Sequence, residues 1–374
     1  MKCYGKDVAT GRDVAVSFER EIVSVDPGPP SERHLAPAWV DVQVNGFAGV
    51  DYNSEATPHE EIARSIEVLY STGVARFYPT VITGGPDDMA GALRNLARAK
   101  EALPEGEAMD GFHVEGPHIS PDDGPRGAHP RRWVRPPDLE EFRRFQDAAG
   151  GHIRLVTLAP EWPEAPRYIE AVVNLGVVAS IGHTNAEASQ IADAVSAGAT
   201  MSTHLGNGAH AILRRHPNYI WDQLAEDRLT ASFIVDGIHL PASFLRVALR
   251  AKSVERSVLV TDASSPAASK PGRYQLGEQA VDLTEDGRVV LAGQDKLAGS
   301  ALRMDHGVAN LMRLAGLSLD SAVRLATVNP ARVGNVPGRK NGLVAGDRAD
   351  FVVFRVNGGI TIAETWVGGR RVYG

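Results

Sequence analysis

Five side chains able to bind a metal or move a proton stand out by where they fall: Glu115 in HVEGP, His183 in SIGHT, His204 in STHLGNG, His239 in DGIHL and Asp262 in LVTDAS. Each ends, or lies just past, a short apolar run rich in β-formers. Two imidazoles and one carboxylate are a common catalytic metal set that leaves a fourth position for water. A divalent metal lowers the pKa of that water and polarises a carbonyl. A carboxylate outside the set can take the water's proton and return it to a leaving amine, and Asp262 suits that part. The chemistry is metal-assisted hydrolysis of an amide. Any one of these residues, taken alone, reads better as a helix cap or loop anchor. That reading weakens when three ligand types fall on three strand ends and an Asp on the eighth.

The elements that must bring them together alternate from Pro37 onward. Apolar runs at 38–46, 75–83, 109–117, 153–161, 177–184, 200–208, 229–240 and 257–264 predict strands. Patterns at 59–73, 137–150, 186–199 and 241–252 predict helices, many opening after Pro, Ser, Asp or Asn and closing near Gly. Eight strands alternating with helices give an α/β fold, a (β/α)8 TIM barrel, whose active site lies at the C-terminal ends of the strands. A barrel takes about 250 residues, and the chain has 374. The flanks show period-two alternation in DVAVSFEREIVSV, GLVAGDRADFVVFRV and GGITIAETWVGGRRVYG. Neither flank can bury a core alone, so both ends are expected to form one small β-sandwich domain. The expected division is 1–36 and 339–374 for that domain and 37–338 for the barrel. A hairpin is expected over 274–293, turning at Glu285-Asp286-Gly287.

His113, two residues before Glu115, points the same way along its strand and reads as a hydrogen-bonded barrel-core histidine. His34, His59 and His152 lie in polar segments and read as solvated, and NPARVG (329–334) reads as a helix terminator. The formal charge of -7 supplies no basic footprint for nucleic acid. Cys3 is the sole thiol, so no disulfide forms within the chain. The N-terminus lacks an apolar signal core and no run of about 18 apolar residues occurs, so the expectation is a cytoplasmic enzyme without a membrane partner.

PAWVDVQVNG (37–46), GFHVEGPHIS (111–120), GAH (127–129), IGHTNA (181–186), STHLGN (202–207), DGIHL (236–240), VTDA (260–263), LAGSAL (297–302), ATVNPAR (326–332) and GLVAGDRADFVVF (342–354) occur in that order. Together they resemble the N-acetylglucosamine-6-phosphate deacetylase family of the amidohydrolase superfamily, over nearly the whole chain. The resemblance implies metal ligands at Glu115, His183 and His204, with Asp262 as general base and acid. It implies contact of His239 with the reacting acetamide and of His129 and Asn207, beside Gly208, with the sugar or its phosphate. It places a phosphate-binding arginine at Arg215, reaching across a homodimer interface.

Many amidohydrolases hold a second metal with His-x-His on the first strand; here Gln43-Val44-Asn45 stands there. Amides are poor ligands for zinc or iron, so one divalent transition metal per chain is expected, zinc first and iron or another metal as the alternative. The run IRLVTLAPE contains no lysine, which excludes a carboxylated-lysine bridge. Gly206-Asn207-Gly208-Ala209-His210 departs from the family's bulky aromatic followed by Asn-Ala-Met, and leads us to expect a looser loop or room for a different group. The reading is hydrolysis of an N-acetyl amino sugar, foremost N-acetylglucosamine 6-phosphate, to the amino sugar and acetate. The alternatives are a non-phosphorylated N-acyl substrate or a catalytically silent binding barrel.

Overall fold

Eight parallel strands follow one another around a barrel: β1 (Trp39–Val44), β2 (Val74–Ile82), β3 (Phe112–Glu115), β4 (Ile153–Leu158), β5 (Val178–Ile181), β6 (Met201–Ser202), β7 (Thr230–Ile234) and β8 (Ser257–Val260). The structure is a computed structural model and describes residues 1–339 and 342–374. The barrel closes just past β8, where the Asp262 amide donates to the Gln43 carbonyl at 3.1 Å and the Asn45 amide to the Ala263 carbonyl at 2.7 Å. All eight expected runs are strands, but their ladders, that of β2 excepted, are shorter than the apolar runs. β6 keeps only two residues because His204 and Gly206 take positive φ, 29° and 102°, which extended backbone does not allow.

Alternation along the strands sorts the side chains. Leu155 and Val178 fill the barrel interior while Val156, Ala179 and Ile181 pack outward against helices. Above the apolar layer lies a polar one: His113 Nε2 meets Thr157 Oγ1 at 2.7 Å, and Thr203 links Thr157 and Ser180. His113 is thus the hydrogen-bonded core residue expected. Helices occupy His59–Ser71, Leu139–Ala148, Ala188–Ser196 and Ala242–Lys252, inside the expected stretches. A further long helix, Pro86–Ala102, opens with Pro and two Asp in its first turn, as the helix dipole favours.

The two chain ends share one seven-stranded sheet. His34–Pro37 lies between Lys2–Asp7, to which it is parallel, and Phe351–Val356, to which it is antiparallel. Leu35, Phe351 and Val353 join Val16 and Phe18 in a core of their own. The alternate residues Ala36, Val352 and Phe354 join Trp39 in the main core. Arg76 of β2 ties sheet to barrel. It is fully buried and pairs with the equally buried Asp350 through two bonds, Nε to Oδ2 at 2.8 Å and Nη2 to Oδ1 at 3.0 Å. His34 is not simply solvated: half-buried, it stacks on Phe354 with ring centroids 5.5 Å apart. NPARVG falls within a short helix, Val328–Val333, and Asn329 there anchors the Val254 and Ser257 carbonyls.

The expected hairpin is a three-stranded sheet, Gly272–Leu276, Gln279–Leu283 and Val289–Leu291. Its additional turn is at Gly277 (φ 57°), whose amide is held by Asp51 Oδ2 at 2.7 Å. Leu276, Gln279 and the segment after the sheet cover one side of the barrel mouth.

Candidate active site

Glu115 is the last residue of β3, and His183, His204 and Asp262 each lie two residues past β5, β6 and β8. The last three take left-handed backbone, with φ of 51°, 29° and 50°. Non-glycine residues rarely adopt it, and it turns each side chain from the strand line into the barrel mouth. Glu115, His183 and His204 are buried, and their ligand atoms lie within 4.8 Å of one another. Glu115 Oε1 is 2.9 Å from His204 Nε2 and 3.2 Å from His183 Nε2, and the two nitrogens are 3.1 Å apart.

The trio fits a metal. His183 Nδ1 donates to the Pro125 carbonyl at 2.8 Å, so the neutral ring keeps its Nε2 lone pair for a ligand. Two facing imidazole nitrogens and a carboxylate oxygen are the donor set of a three-ligand catalytic site. Burial works to raise the Glu115 carboxyl, but the facing His183 and His204 rings outweigh it and hold the carboxylate well below its usual range.

Asp262 lies beside the trio. Its Oδ1 accepts from Asn45 Nδ2 at 2.7 Å and from Gln43 Nε2 at 3.1 Å. The same Gln43 nitrogen donates to Glu115 Oε1 at 3.1 Å. Burial, then the charge of Glu115, pushes the Asp262 carboxyl up to about 6. His239 stands on the turn after β7, with Nδ1 2.6 Å from Asp236 Oδ2.

These groups open on one cavity of about 580 Å³ that also exposes His129, Asn207, Gly208, His210 and Lys296. Thr83 Oγ1 holds His129 Nδ1 at 2.8 Å, and burial lowers that ring's pKa to about 3, leaving it neutral. Asn207 turns its amide nitrogen to the His204 carbonyl at 3.2 Å. Gly206 and Gly208 stand where an added side chain would clash. A Cβ on Gly208 would lie 2.6 Å from His183 Nδ1, and one on Gly206 would meet Leu240 at 2.8 Å. Both glycines permit close approach, and Gly208 packs on the His183 ring.

The structure thus brings together Glu115, His183, His204, His239, Asp262, His129, Asn207 and Gly208. Arg215 is exposed and lies outside the cavity wall of its own chain. Sequence reasoning missed Lys296, Thr83 and Asp236. Of these only Asp236 left a signal, its spacing of three before His239, where a carboxylate caps the following amides.

A barrel with a buried Glu–His–His trio and an unliganded carboxylate after its eighth strand defines a metal-dependent amide hydrolase. The amidohydrolase family model matches residues 35–372, and the chain belongs to that family. Within the family it is 33% identical over 348 residues to the N-acetylglucosamine-6-phosphate deacetylase of Bacillus subtilis (strain 168), covering 92% of this chain and 86% of that protein. The N-acetyl-D-glucosamine-6-phosphate deacetylase of Mycobacterium smegmatis superposes with a TM-score of 0.90 at 32% identity, covering 100% of each chain. A mutant of that enzyme in complex with N-acetyl-D-glucosamine-6-phosphate superposes at 0.89, with 32% identity and 97% and 95% coverage. Among the described residues no helix is long and apolar enough to cross a membrane.

Proposed function

We propose that the protein hydrolyses the amide C–N bond of N-acetylglucosamine 6-phosphate, releasing the amino sugar and acetate. The observation that carries this is the meeting of Glu115, His183, His204 and Asp262 at one cavity, with Asp262 Oδ2 unengaged by any described residue. Glu115, His183 and His204 would hold one divalent transition metal per chain, zinc first and iron as the alternative. When bound, that ion supplies Lewis acidity to the acetamide carbonyl and acidifies a water.

Asp262 takes a proton from the attacking water as its oxygen bonds to the carbonyl carbon. His239, whose Nδ1 faces Asp236, turns its other nitrogen to the oxyanion that develops. The C–N bond then breaks, and Asp262 delivers its proton to the departing nitrogen. A carboxylate beside the trio with one oxygen unengaged by the described residues can serve in both directions. His129, Asn207 and Gly208 line the space for the sugar. Arg215 is exposed, and Ile212, three residues before it, is 91% exposed. An exposed apolar side chain and an exposed arginine on one loop outside the cavity support a homodimer in which Arg215 reaches the phosphate held by the partner. The enzyme is assigned to the cytoplasm.

The test is acetate release from N-acetylglucosamine with and without the 6-phosphate. Release with preference for the phosphate is expected. Equal rates on both sugars would favour a neutral N-acyl substrate, and no release from any N-acetyl sugar would refute the deacetylase reading.

A further inference from the structure

We infer that Gln43 and Asn45 are positioning residues that decide which oxygen of Asp262 carries the proton. The inference deepens the deacetylase reading and rests on it. Asp262 Oδ1 receives Asn45 Nδ2 at 2.7 Å and Gln43 Nε2 at 3.1 Å, while Oδ2 receives no donor from the described residues. A carboxylate oxygen offers about two lone-pair sites, so Oδ1 is filled and proton transfer falls to Oδ2.

A carboxylate accepts and cannot donate, so each amide must turn its nitrogen towards Asp262. That fixes the other end of Asn45. Its Oδ1 is buried without a partner, and the residue lines the cavity. Unpaired buried acceptors are rare. The occupied site supplies the donor: one hydrogen of the reacting water goes to Asn45 Oδ1 while the other goes to Asp262 Oδ2.

Gln43 does a second thing. Its Nε2 carries two hydrogens, one directed at Asp262 Oδ1 and one at Glu115 Oε1, 3.1 Å away. Glu115 Oε1 is also the oxygen that faces His183 and His204. One neutral amide therefore holds the ligand carboxylate and the base carboxylate apart and gives each a donor, offsetting their repulsion. The backbone explains how it gets there. The register of β1 on β2 shifts between Asp41 and Val44, and such a shift re-aims side chains. The same stretch is bonded to Asp262 and Ala263 across the barrel seam. An amide suits the place better than an imidazole, because it never takes the proton from the water and leaves Asp262 as the only base.

The experiment uses the full-length, metal-loaded enzyme with N-acetylglucosamine 6-phosphate. Asn45→Leu and Asn45→Ala should lower kcat about 10- to 100-fold, the worth of a hydrogen bond to a charged group. KM should change little and metal content should stay as in the wild type, since Asn45 Nδ2 bonds to Asp262 and not to Glu115. Gln43→Met should lower kcat and also speed loss of metal to a chelator. In an Asp262→Asn background Asn45→Ala should cost nothing further, because residues acting as one unit are not additive. A crystal structure of Asn45→Ala should show the Asp262 carboxylate turned from its wild-type rotamer. Wild-type kcat in Asn45→Ala, an additive loss in the Asp262→Asn background, or an unmoved Asp262 carboxylate would overturn the inference. If Asn45→Leu does not fold, Asn45→Ala carries the test. Failure of the wild type to release acetate would instead strike the deacetylase reading, and the rotamer and chelator measurements would still decide the clamp.

Discussion

Gly208→Ala should damage the candidate metal site without replacing any of its three residues. Gly208 has φ of 54°, and an added Cβ would lie 2.6 Å from His183 Nδ1, 2.8 Å from Cε1 and 3.1 Å from Cγ. The ring cannot retreat freely. Its Nδ1 is bonded to the Pro125 carbonyl at 2.8 Å, His129 lies edge-on with centroids 4.4 Å apart, and the Gly127 backbone closes on the ring as well. Two costs add. Left-handed backbone costs an alanine roughly 1–2 kcal/mol. Overpacking costs about 1–3 kcal/mol more. The first falls on folding. The second falls on His183, and so on metal affinity, where it amounts to roughly a 5- to 150-fold loss. Gly287→Ala is the control: φ is 83° and nothing lies within 4 Å of the added Cβ, so only the backbone cost applies. Chelator-buffered metal titration with thermal melts of both variants separates the two. A folded Gly208→Ala that binds metal as tightly as the wild type would refute the packing argument.

The purified chain should hold one tightly bound metal, because Gln43 and Asn45 are engaged with carboxylates, and elemental analysis should find it absent in His183→Ala or His204→Ala. Asp262→Asn should keep the metal and lose about a hundredfold or more in turnover, the usual worth of a positioned base. Burial works to raise the Asp350 carboxyl, but the charge of Arg76 outweighs it and holds the group at about 2, below its unfolded value. Its contribution to stability is therefore present above an unfolded pKa of about 4 and lost as pH falls from there towards 2. Acid melts of Asp350→Asn should lack that part of the pH dependence, and at neutral pH the variant should be less stable by about 1–3 kcal/mol, since the buried Arg76 loses its two shortest charged bonds and keeps only Glu107 and Asp110 as carboxylate partners. Lys296 is the one Lys or Arg in the cavity wall among the described residues, and its ammonium is the charge there that an anion could meet. Comparing kcat/KM for the phosphorylated and plain sugars in Lys296→Ala and Arg215→Ala should show that each loses part of the phosphate preference; no change in either would remove the phosphate assignment.

The sequence alone determined the eight-strand order and picked out four residues that meet at the candidate site. Both are local properties: apolar runs of strand length separated by helical periods, and a metal-capable residue at the end of a run, which a parallel barrel must deliver to its mouth. The sharing of one sheet by the two ends was legible too, because neither flank could bury its own alternate residues. Only the tertiary structure decided what surrounds those residues. Gln43 looks in sequence like a lost metal ligand and is in space a bridge between Glu115 and Asp262, the latter 219 positions away. Gly206 and Gly208 look like slack and are close contacts. Arg215, expected to reach across a homodimer interface, lies outside the cavity of its own chain, while Lys296, just before LAGSAL, lines the wall. The Asp262 carboxyl is raised by burial and by Glu115, neither of which its neighbours in sequence encode. A strand's period is set by the backbone, residue by residue. Burial, hydrogen-bond partners and the space beside a ring are set by where the closed barrel brings distant segments, and no local pattern records that.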